Sequence, residues 1–359
     1  QLRRAQLHST IMVARPILLN TFIQCSSQIL IPPMPCIITT TGTFLSGALA
    51  GKFKVPQIVI FIFGFFTSKK SIKVITWNIR FGVARLRFFG DGCGDRAILT
   101  KSEVTTGLEG LAAKIKKENP DILLLQEVDV QSKKTAYIDQ AQWLLDNTEM
   151  NYGVYASMWE VQFVPSDGLG RVDTGNAILS RWPLREAERI QLSLRGDQDD
   201  LTKAFYVRRN MLRAMVDYPG SPFWAVDIHA SAFSNDDTKQ RQYLEFKAVL
   251  DKLDDQGRHF IAGGDLNELP PGALKNNYCD NDRCPGESEE HDEGCDFSNE
   301  TTWISPLFDS YVPAVSLVDY LQDESHYFTH ASTQEVSEER YQWNRKLDYL
   351  INNKNRVEH

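Results

Sequence analysis

The sequence is poor in cysteine and has no long hydrophobic run. Six cysteines in 359 residues are too few to build a disulfide scaffold. The apolar run at 55–66 has 12 residues, whereas a membrane-spanning helix needs roughly 20. Hydrophobic residues make up 42% of the chain and charged residues 24%, which is ordinary for a globular protein. This composition excludes collagen, a wholly disordered chain and a polytopic membrane protein.

Acidic residues are absent from the first 70 positions, which contain seven lysines and arginines. The rest of the chain, 71–359, therefore holds 32 of the 39 basic residues and all 47 acidic residues. Affinity for phosphate comes largely from lysine and arginine, so this acidic body argues against tight general binding of nucleic acid. A local basic patch is compatible with that balance.

The segment 1–70 contains the pattern of a targeting sequence. Lysines flank the apolar run at 55–66 on both sides, and a basic start before a short apolar run resembles a secretory signal or a signal anchor. Residues 52–66 therefore predict export or membrane association, with a cytoplasmic location as the alternative. Residues 1–50 have a second interpretation as poorly folded or inauthentic sequence, because the chain begins at Gln1 rather than methionine.

Residues 71–359 form the second unit and alternate strand-like with helix-like patterns. The β-branched and aromatic stretch 73–79 predicts a strand, and the apolar run 121–125 predicts a strand covered on both faces. Apolar spacing predicts helices near 108–119 and over 238–253. Such alternation indicates an α/β domain with helices packed outside a sheet. A second helix is expected near 141–145, and further strands at 176–180, 212–218, 223–228 and 259–262.

An acidic insertion at 279–300 interrupts this alternation. Nine acidic residues lie there with Cys279, Cys284 and Cys295 among them. The charge predicts an exposed, solvated loop. A disulfide between two of these cysteines is expected if the protein is exported, and the irregular spacing disfavours a zinc site.

Polar side chains recur at the ends of the strand-like segments, where α/β enzymes place catalytic groups. Each one alone has a structural explanation: a surface glutamate, a hydrogen-bonded core histidine, a Gly-Gly-Asp turn or a buried carboxylate in an ion pair. Their joint order along the chain is far more informative. The residues are Asn78, Glu127, Asn176, His229, Asp265, Asn267 and Asp348.

The motifs around these residues resemble those of the endonuclease/exonuclease/phosphatase superfamily. They are Thr-Trp-Asn, Leu-Gln-Glu, Gly-Asn-Ala-Ile-Leu-Ser-Arg, Ile-His, Gly-Asp-Leu-Asn and Leu-Asp-Tyr, and they extend from about Lys73 to Ile351. The resemblance implies a four-layer α/β sandwich in which two mostly antiparallel sheets pack face to face with helices outside. It also implies a divalent-metal-dependent phosphoester hydrolase.

The resemblance assigns a role to each residue. Glu127 is expected to bind Mg²⁺, or Mn²⁺, with help from Asn78, since magnesium prefers oxygen ligands and needs only one or two carboxylates. Asp265 is expected to activate the attacking water for in-line displacement. Asn267 is expected to orient that water, and His229 to act on the scissile phosphate as donor or acid.

Two further residues are expected to support the site. Asp348 matches the acidic residue before the last core strands of the family. Asn176 is expected to line the pocket, with a purely structural role as the alternative.

One departure from the family pattern lies at the C-terminus. Members usually finish with a Ser-Asp-His motif, but this chain stops at His359, 11 residues past Asp348. The final strand and its Asp-His pair are therefore expected to be missing. That predicts either a fragment of a hydrolase or a noncatalytic protein that keeps the fold and binds a phosphate ligand.

The substrate is not fixed by the resemblance. A phosphoester in nucleic acid, phospholipid or a small metabolite fits the expected chemistry. The stretch 205–210 contains Arg208 and Arg209, which either supply cations near a phosphate or lie as solvated arginines on a surface strand.

Overall fold

The computed structural model of the chain describes residues 13–14, 59–64, 71–84, 86, 96–165, 168–232, 236–284, 295–332 and 343–353. The strands are β1 Val13–Ala14, β2 Val59–Gly64, β3 Ser71–Asn78, β4 Ile122–Asp129, β5 Tyr152–Val164, β6 Gly170–Ser180, β7 Leu184–Gln191, β8 Asn210–Val216, β9 Phe223–His229, β10 Phe260–Asp265, β11 Tyr311–Pro313, β12 His330–Ala331, β13 Trp343–Arg345 and β14 Asp348–Asn353. The helices are α1 Lys101–Glu118, α2 Gln140–Asn147, α3 Asp200–Phe205, α4 Thr238–Asp255, α5 Cys279–Asp282, α6 Ser305–Ser310 and α7 Leu317–Gln322.

The strands form two six-stranded sheets and one short hairpin-like pair. The first sheet has the order β1-β5-β6-β4-β3-β2, the second has the order β11-β14-β10-β9-β8-β7, and β12 pairs with β13. Each large sheet is antiparallel except at one central pair, β3 with β4 in the first and β9 with β10 in the second. Each parallel pair is joined through a long helix, α1 or α4, because a parallel connection needs a crossover.

Apolar side chains form three clusters between the four layers of the structure. Because successive side chains of a strand point to opposite faces, each central strand contributes to two clusters. In β4, Ile122 and Leu124 belong to the cluster between the two sheets, whereas Leu123 and Leu125 face the cluster formed with α1 and α2. A third cluster packs the second sheet against α4. The predicted four-layer α/β sandwich is confirmed by this arrangement.

Helix α1 begins where the sequence supplies a complete capping box. The Thr100 side chain accepts a hydrogen bond from the backbone N–H of Glu103, and the Glu103 carboxylate accepts one from the Thr100 N–H. Two otherwise unpaired donors of the first turn are thereby satisfied. The helix starts well before the predicted 108, because the capping residues lie one turn ahead of its apolar stripe.

Part of the predicted targeting segment is a strand. Val59–Gly64 pairs antiparallel with β3 at the edge of the first sheet, while the remaining residues of 52–66 lie outside the described part of the chain. No helix among the described residues is long and apolar enough to cross a membrane.

Each described end of the acidic insertion contains buried residues beside exposed ones, which corrects the expectation of an exposed loop throughout 279–300. Cys279 and Cys295 form a disulfide, and both are at least 94% buried. Asp282 forms an ion pair with Arg345 at 2.6 Å, with both side chains buried. The disulfide joins the two ends to each other, and the ion pair joins the first end to β13, whereas residues 285–294 lie outside the described part of the chain.

Candidate active site

Four strand ends meet at one edge of the sandwich. Asn78 ends β3, His229 ends β9 and Asp265 ends β10, and Glu127 lies near the end of β4. These are the carboxyl ends of both parallel pairs, so the side chains that follow the apolar runs converge there. The four residues expected from the sequence are therefore brought together.

Hydrogen bonds and short distances connect the group across the two sheets. Asn78 Nδ2 donates to Asp265 Oδ2 at 3.0 Å, and Asn78 Oδ1 accepts from the backbone of Arg80 at 3.0 Å. His229 Nε2 lies 3.7 Å from Asp265 Oδ2 and 4.0 Å from Glu127 Oε1. The imidazole thus lies between a carboxylate of each sheet.

The backbone is unusual where two of these side chains emerge. Glu127 has φ 56°, in a register shift between Leu125 and Val128, and Asn267 has φ 51°. Left-handed backbone in residues other than glycine is uncommon and concentrates at functional sites. Here the bulge turns Glu127 out of the strand alternation and toward the site.

Two glycines before Asp265 allow neighbouring strands to approach closely. A Cβ on Gly263 would lie 2.0 Å from Tyr349 O, and a Cβ on Gly264 would lie 1.9 Å from Ile228 O. Gly264 also has φ 141°. Only glycine fits these positions, so the close strand packing sets the position of Asp265 relative to β9 and β14.

Asn267 is held by Asp265 and by β9. Its backbone N–H donates to Asp265 Oδ1 at 3.0 Å, and its Nδ2 donates to Ala230 O at 3.1 Å. One amide hydrogen and the amide oxygen remain for other contacts.

The two supporting residues occupy matching places in the two sheets. Asp348 pairs with Asp265 in the register of β14 and β10, and its Oδ1 is buried without a hydrogen-bond partner. Asn176 is fully buried in β6, and its Nδ2 donates to the Asn210 carbonyl of the second sheet at 3.1 Å. Asn176 therefore joins the two sheets beneath the site.

Burial dominates the protonation of the central groups. It raises the pKa of the Asp265 carboxyl above its ordinary value, although hydrogen bonds from Asn78 and Asn267 and the charge of Arg209 act against it. Burial, with Arg209, lowers the pKa of His229 well below its usual range. The imidazole is therefore neutral near pH 7.

Asp348 responds to the same surroundings. Burial raises the pKa of its carboxyl well above the ordinary value, and the negative charges of Asp265 and Glu127 add to that shift. Three carboxyl groups close enough to perturb one another form an acidic site.

The structure places Arg209, for which the sequence left two alternatives, and adds Asp227, which the sequence did not single out. Arg209 is half-buried beside the acids, and the carboxylates of Glu127 and Asp265 raise its pKa while burial lowers it more strongly. Below the site, Gln126 Nε2 donates to Asp227 Oδ1 at 2.6 Å across the sheets. The Arg-Arg-Asn stretch gave a signal for Arg209, whereas no local pattern distinguishes Asp227.

The donor set fits a divalent cation held mainly by carboxylate and water. No group of three or more His, Cys, Asp or Glu side chains among the described residues has the arrangement of a protein-only metal cage. Magnesium needs no such cage, because it keeps several waters and takes one or two carboxylates. The unpartnered buried oxygen of Asp348 and the mutual repulsion of the acids are what a cation would relieve.

Comparison with known families identifies one match over most of the chain. The model of the Endonuclease/Exonuclease/phosphatase family matches residues 75–329, which contain Asn78, Glu127, His229 and Asp265. No curated protein matches the sequence.

Solved structures also resemble this chain at low sequence identity. The human Nocturnin catalytic domain with bound sulfate is 17% identical, with 79% of this chain and 82% of that chain covered and a TM-score of 0.46. An endonuclease/exonuclease/phosphatase from Beutenbergia cavernae is 17% identical, with 78% and 70% covered and a TM-score of 0.41. Truncated TDP2 of Caenorhabditis elegans is 19% identical, with 78% and 83% covered and a TM-score of 0.40.

Proposed function

The chain belongs to the endonuclease/exonuclease/phosphatase family, and from this premise we propose that it hydrolyses a phosphoester with a divalent metal ion. The observation that carries the proposal is the position of Asp265. Its side chain is 11% exposed, accepts hydrogen bonds from Asn78 and Asn267, and lies 3.7 Å from His229. A carboxylate fixed in this way beside other polar groups suits a general base.

Glu127 and Asn78 would hold Mg²⁺ or Mn²⁺. When bound, the ion would offset the negative charge of the substrate and polarise its phosphoryl group. The Glu127 side chain is 20% exposed, which leaves room for the waters that magnesium keeps. Asn78 Oδ1 retains an acceptor lone pair beyond its hydrogen bond with the Arg80 N–H.

Asp265 would take a proton from the attacking water. The water oxygen then bonds to phosphorus as the opposite P–O bond breaks, and the leaving oxygen departs with the electron pair of that bond. The raised pKa of Asp265 favours proton uptake. The hydrogen bonds from Asn78 and Asn267 fix the carboxylate before the reaction, which avoids reorganisation at the moment of transfer.

His229 and Arg209 would stabilise charge on the phosphoryl oxygens. The pKa of His229 lies well below its usual range, so its imidazole serves as a neutral hydrogen-bond donor rather than as an acid. The Arg209 guanidinium would supply positive charge on the side of β8, because the charges of Glu127 and Asp265 already act on it. Asp348 would support Asp265 from the neighbouring strand.

The test is hydrolysis of a nitrophenyl phosphodiester by the full chain, with Mg²⁺, with Mn²⁺ and after chelation. We expect metal-dependent turnover, and about a 10³-fold lower kcat in Asp265→Asn. Asp255→Asn, an exposed position at the end of α4, is the matched control. Turnover unchanged in Asp265→Asn would reject the assigned base.

The noncatalytic alternative makes a different prediction in the same assay. A protein that only binds a phosphate ligand would show saturable binding without turnover in any metal. That result would reject the hydrolase and retain the phosphate site.

Export or membrane association through residues 52–66 remains a proposal supported by the flanking lysines and the apolar run. A reporter enzyme that is active only outside the cytoplasm, fused after residue 70, would test it. Activity that disappears when lysines replace apolar residues in 55–66 supports export. A fusion protein that accumulates in the cytoplasm without reporter activity contradicts it.

A further inference from the structure

Three arginines beside the candidate active site form no salt bridge within the described part of the chain. Arg189, Arg208 and Arg209 form no ion pair with any described residue. Nearby arginines of β7 and β8 do: Arg185 pairs with Asp217 and Arg213 with Glu188. The carboxylates of Glu127 and Asp265 do act on Arg209, but neither Arg189 nor Arg208 has a salt-bridge partner among the described residues. In a chain with net charge −8, two such adjacent arginines are suited to bind an external anion.

Backbone contacts place these arginines at the site edge of the second sheet. Met211 pairs with Ile228, so Arg208 and Arg209, which directly precede β8, lie beside the end of β9 that carries His229. The Leu192 N–H donates to Arg209 O at 3.0 Å. The end of β7 that follows Arg189 is thereby joined to the same edge.

Arg189 is held close to Arg208. Arg189 Nη2 donates to the Arg208 carbonyl at 3.3 Å, and Arg189 Nε donates to Ser157 O at 2.8 Å. Arg189 is half-buried, whereas Arg208 is exposed. Burial lowers the pKa of Arg189, and the neighbouring positive charge of Arg208 lowers it further.

An anion bound between the guanidinium groups of Arg189 and Arg208 would attract both of them and offset the repulsion between their positive charges. A phosphate suits them because guanidinium groups match its oxygens in paired, charge-assisted hydrogen bonds. The carboxylates of Glu127 and Asp265 act on Arg209. Arg189 lies on β7, which is separated from β9 and β10 by β8, so a phosphate held by Arg189 would lie toward the β7 side of the site.

We propose that Arg189 and Arg208 form a second phosphate subsite, which selects substrates that carry another phosphate group next to the scissile one. The inference rests on the proposed function and names its substrate class. That second phosphate belongs either to the next linkage of a nucleic-acid strand or to a phosphorylated small molecule. In both cases the protein recognises the same phosphate chemistry.

The experiment compares two nitrophenyl esters of thymidylate, one with and one without a second phosphate on the sugar. The variant is Arg208→Gln in the full chain, because Arg208 is exposed and donates no side-chain hydrogen bond to a described residue. We expect its KM for the two-phosphate ester to rise about tenfold, as loss of one charge-assisted contact predicts. KM for the one-phosphate ester should change less than about twofold.

Arg258→Gln is the matched control. Arg258 is exposed, makes no ion pair with a described residue, and lies before β10 at the opposite edge of the sheet. Its KM should be unchanged for both esters. An equal rise for both esters in Arg208→Gln, or no rise for either, overturns the subsite.

Competition distinguishes the sources of the second phosphate. A phosphorothioate tetranucleotide and inositol bisphosphate are each used as inhibitors of the wild type and of Arg208→Gln. The inhibitor that loses potency in the variant identifies the source, and potency unchanged for both overturns the subsite.

Failure of the proposed function remains separable from failure of the subsite. If the wild type hydrolyses neither ester, the hydrolase proposal fails. Equilibrium binding of the same tetranucleotide and inositol bisphosphate then decides the subsite, since weaker binding of one of them by Arg208→Gln supports it and equal binding of both rejects it.

Discussion

The two sheets contain the same strand-helix-strand connection but carry different polar side chains at the strand ends. In the first, β3 and β4 run parallel around α1, with Asn78 at the end of β3 and Glu127 near the end of β4. In the second, β9 and β10 run parallel around α4 and end in His229 and Asp265. Both helices have 18 residues, and each half places a polar side chain and a carboxylate near the ends of its parallel strands, although Asp265 lies opposite His229 and Glu127 lies one residue past the partner of Asn78.

The carboxylates of Glu127 and Asp265 differ in how deeply they are buried. The Glu127 side chain is 20% exposed and that of Asp265 is 11% exposed beside a His229 side chain with 2% exposure. Burial consequently raises the pKa of Asp265. A carboxylate that keeps contact with water suits a hydrated cation, whereas a desolvated one suits proton transfer. One repeated connection can thus supply both functions.

The largest expected effect comes from exchanging each carboxylate for its amide. Glu127→Gln should raise the metal concentration needed for half-maximal activity by about 10–100-fold, since it removes a charged ligand. Asp265→Asn should leave that concentration nearly unchanged while kcat falls. Metal titrations of phosphodiester turnover measure both. Glu160→Gln, an exposed position on β5, is the control, and identical metal curves for the two site variants would contradict separate roles.

Glu268, which directly follows Asn267 in the half that contains α4, should make the free energy of unfolding depend on pH. Burial raises the pKa of its carboxyl to about 7. Its stabilising contribution is therefore complete below pH 4.5 and is lost as the pH rises through 7. The loss amounts to about 3 kcal/mol. Urea unfolding at a series of pH values should show this slope, and Glu268→Gln should flatten it; an unchanged slope would contradict the assignment.

The hydrogen bond between Gln126 and Asp227, which joins the two sheets, should contribute to the free energy of unfolding. Gln126→Met leaves the fully buried Asp227 carboxyl without its donor, and we expect a loss of about 2 kcal/mol in the free energy of unfolding. The double variant Gln126→Met, Asp227→Leu should recover most of that loss, because neither polar group is then buried alone. Denaturant titration measures both, and strictly additive effects would show that the two residues act independently.

The smallest effect is expected in the first half, at the start of α1. Glu103→Gln should lower the free energy of unfolding by about 0.5 kcal/mol at neutral pH. Hydrogen bonds from Arg96 and Thr100 lower the pKa of Glu103 to about 2. Its contribution is therefore present above pH 4.5 and is lost as the pH falls toward 2, opposite in sign to Glu268. The exposed Glu109→Gln in the same helix is the control; a larger loss there would contradict the cap.

The sequence predicts the ends of strands better than the contacts between sheets. Asn78, His229 and Asp265 each follow an apolar or β-branched run, so their convergence could be inferred from the direction of neighbouring strands. The bond between Gln126 and Asp227 depends on how two sheets pack, and residues 101 positions apart share no local pattern. The long β5 was not predicted because register shifts near Ser157 and Val161 interrupt its alternation.

The glycines before Asp265 define where this scaffold can be varied in the laboratory. Any side chain at Gly263 or Gly264 would meet backbone carbonyls at 2.0 Å or less, so libraries should hold both codons constant. The exposed Arg208 is not subject to this steric restriction. Directed evolution of substrate preference can therefore vary the position of Arg208, whereas Gly263 and Gly264 must be kept.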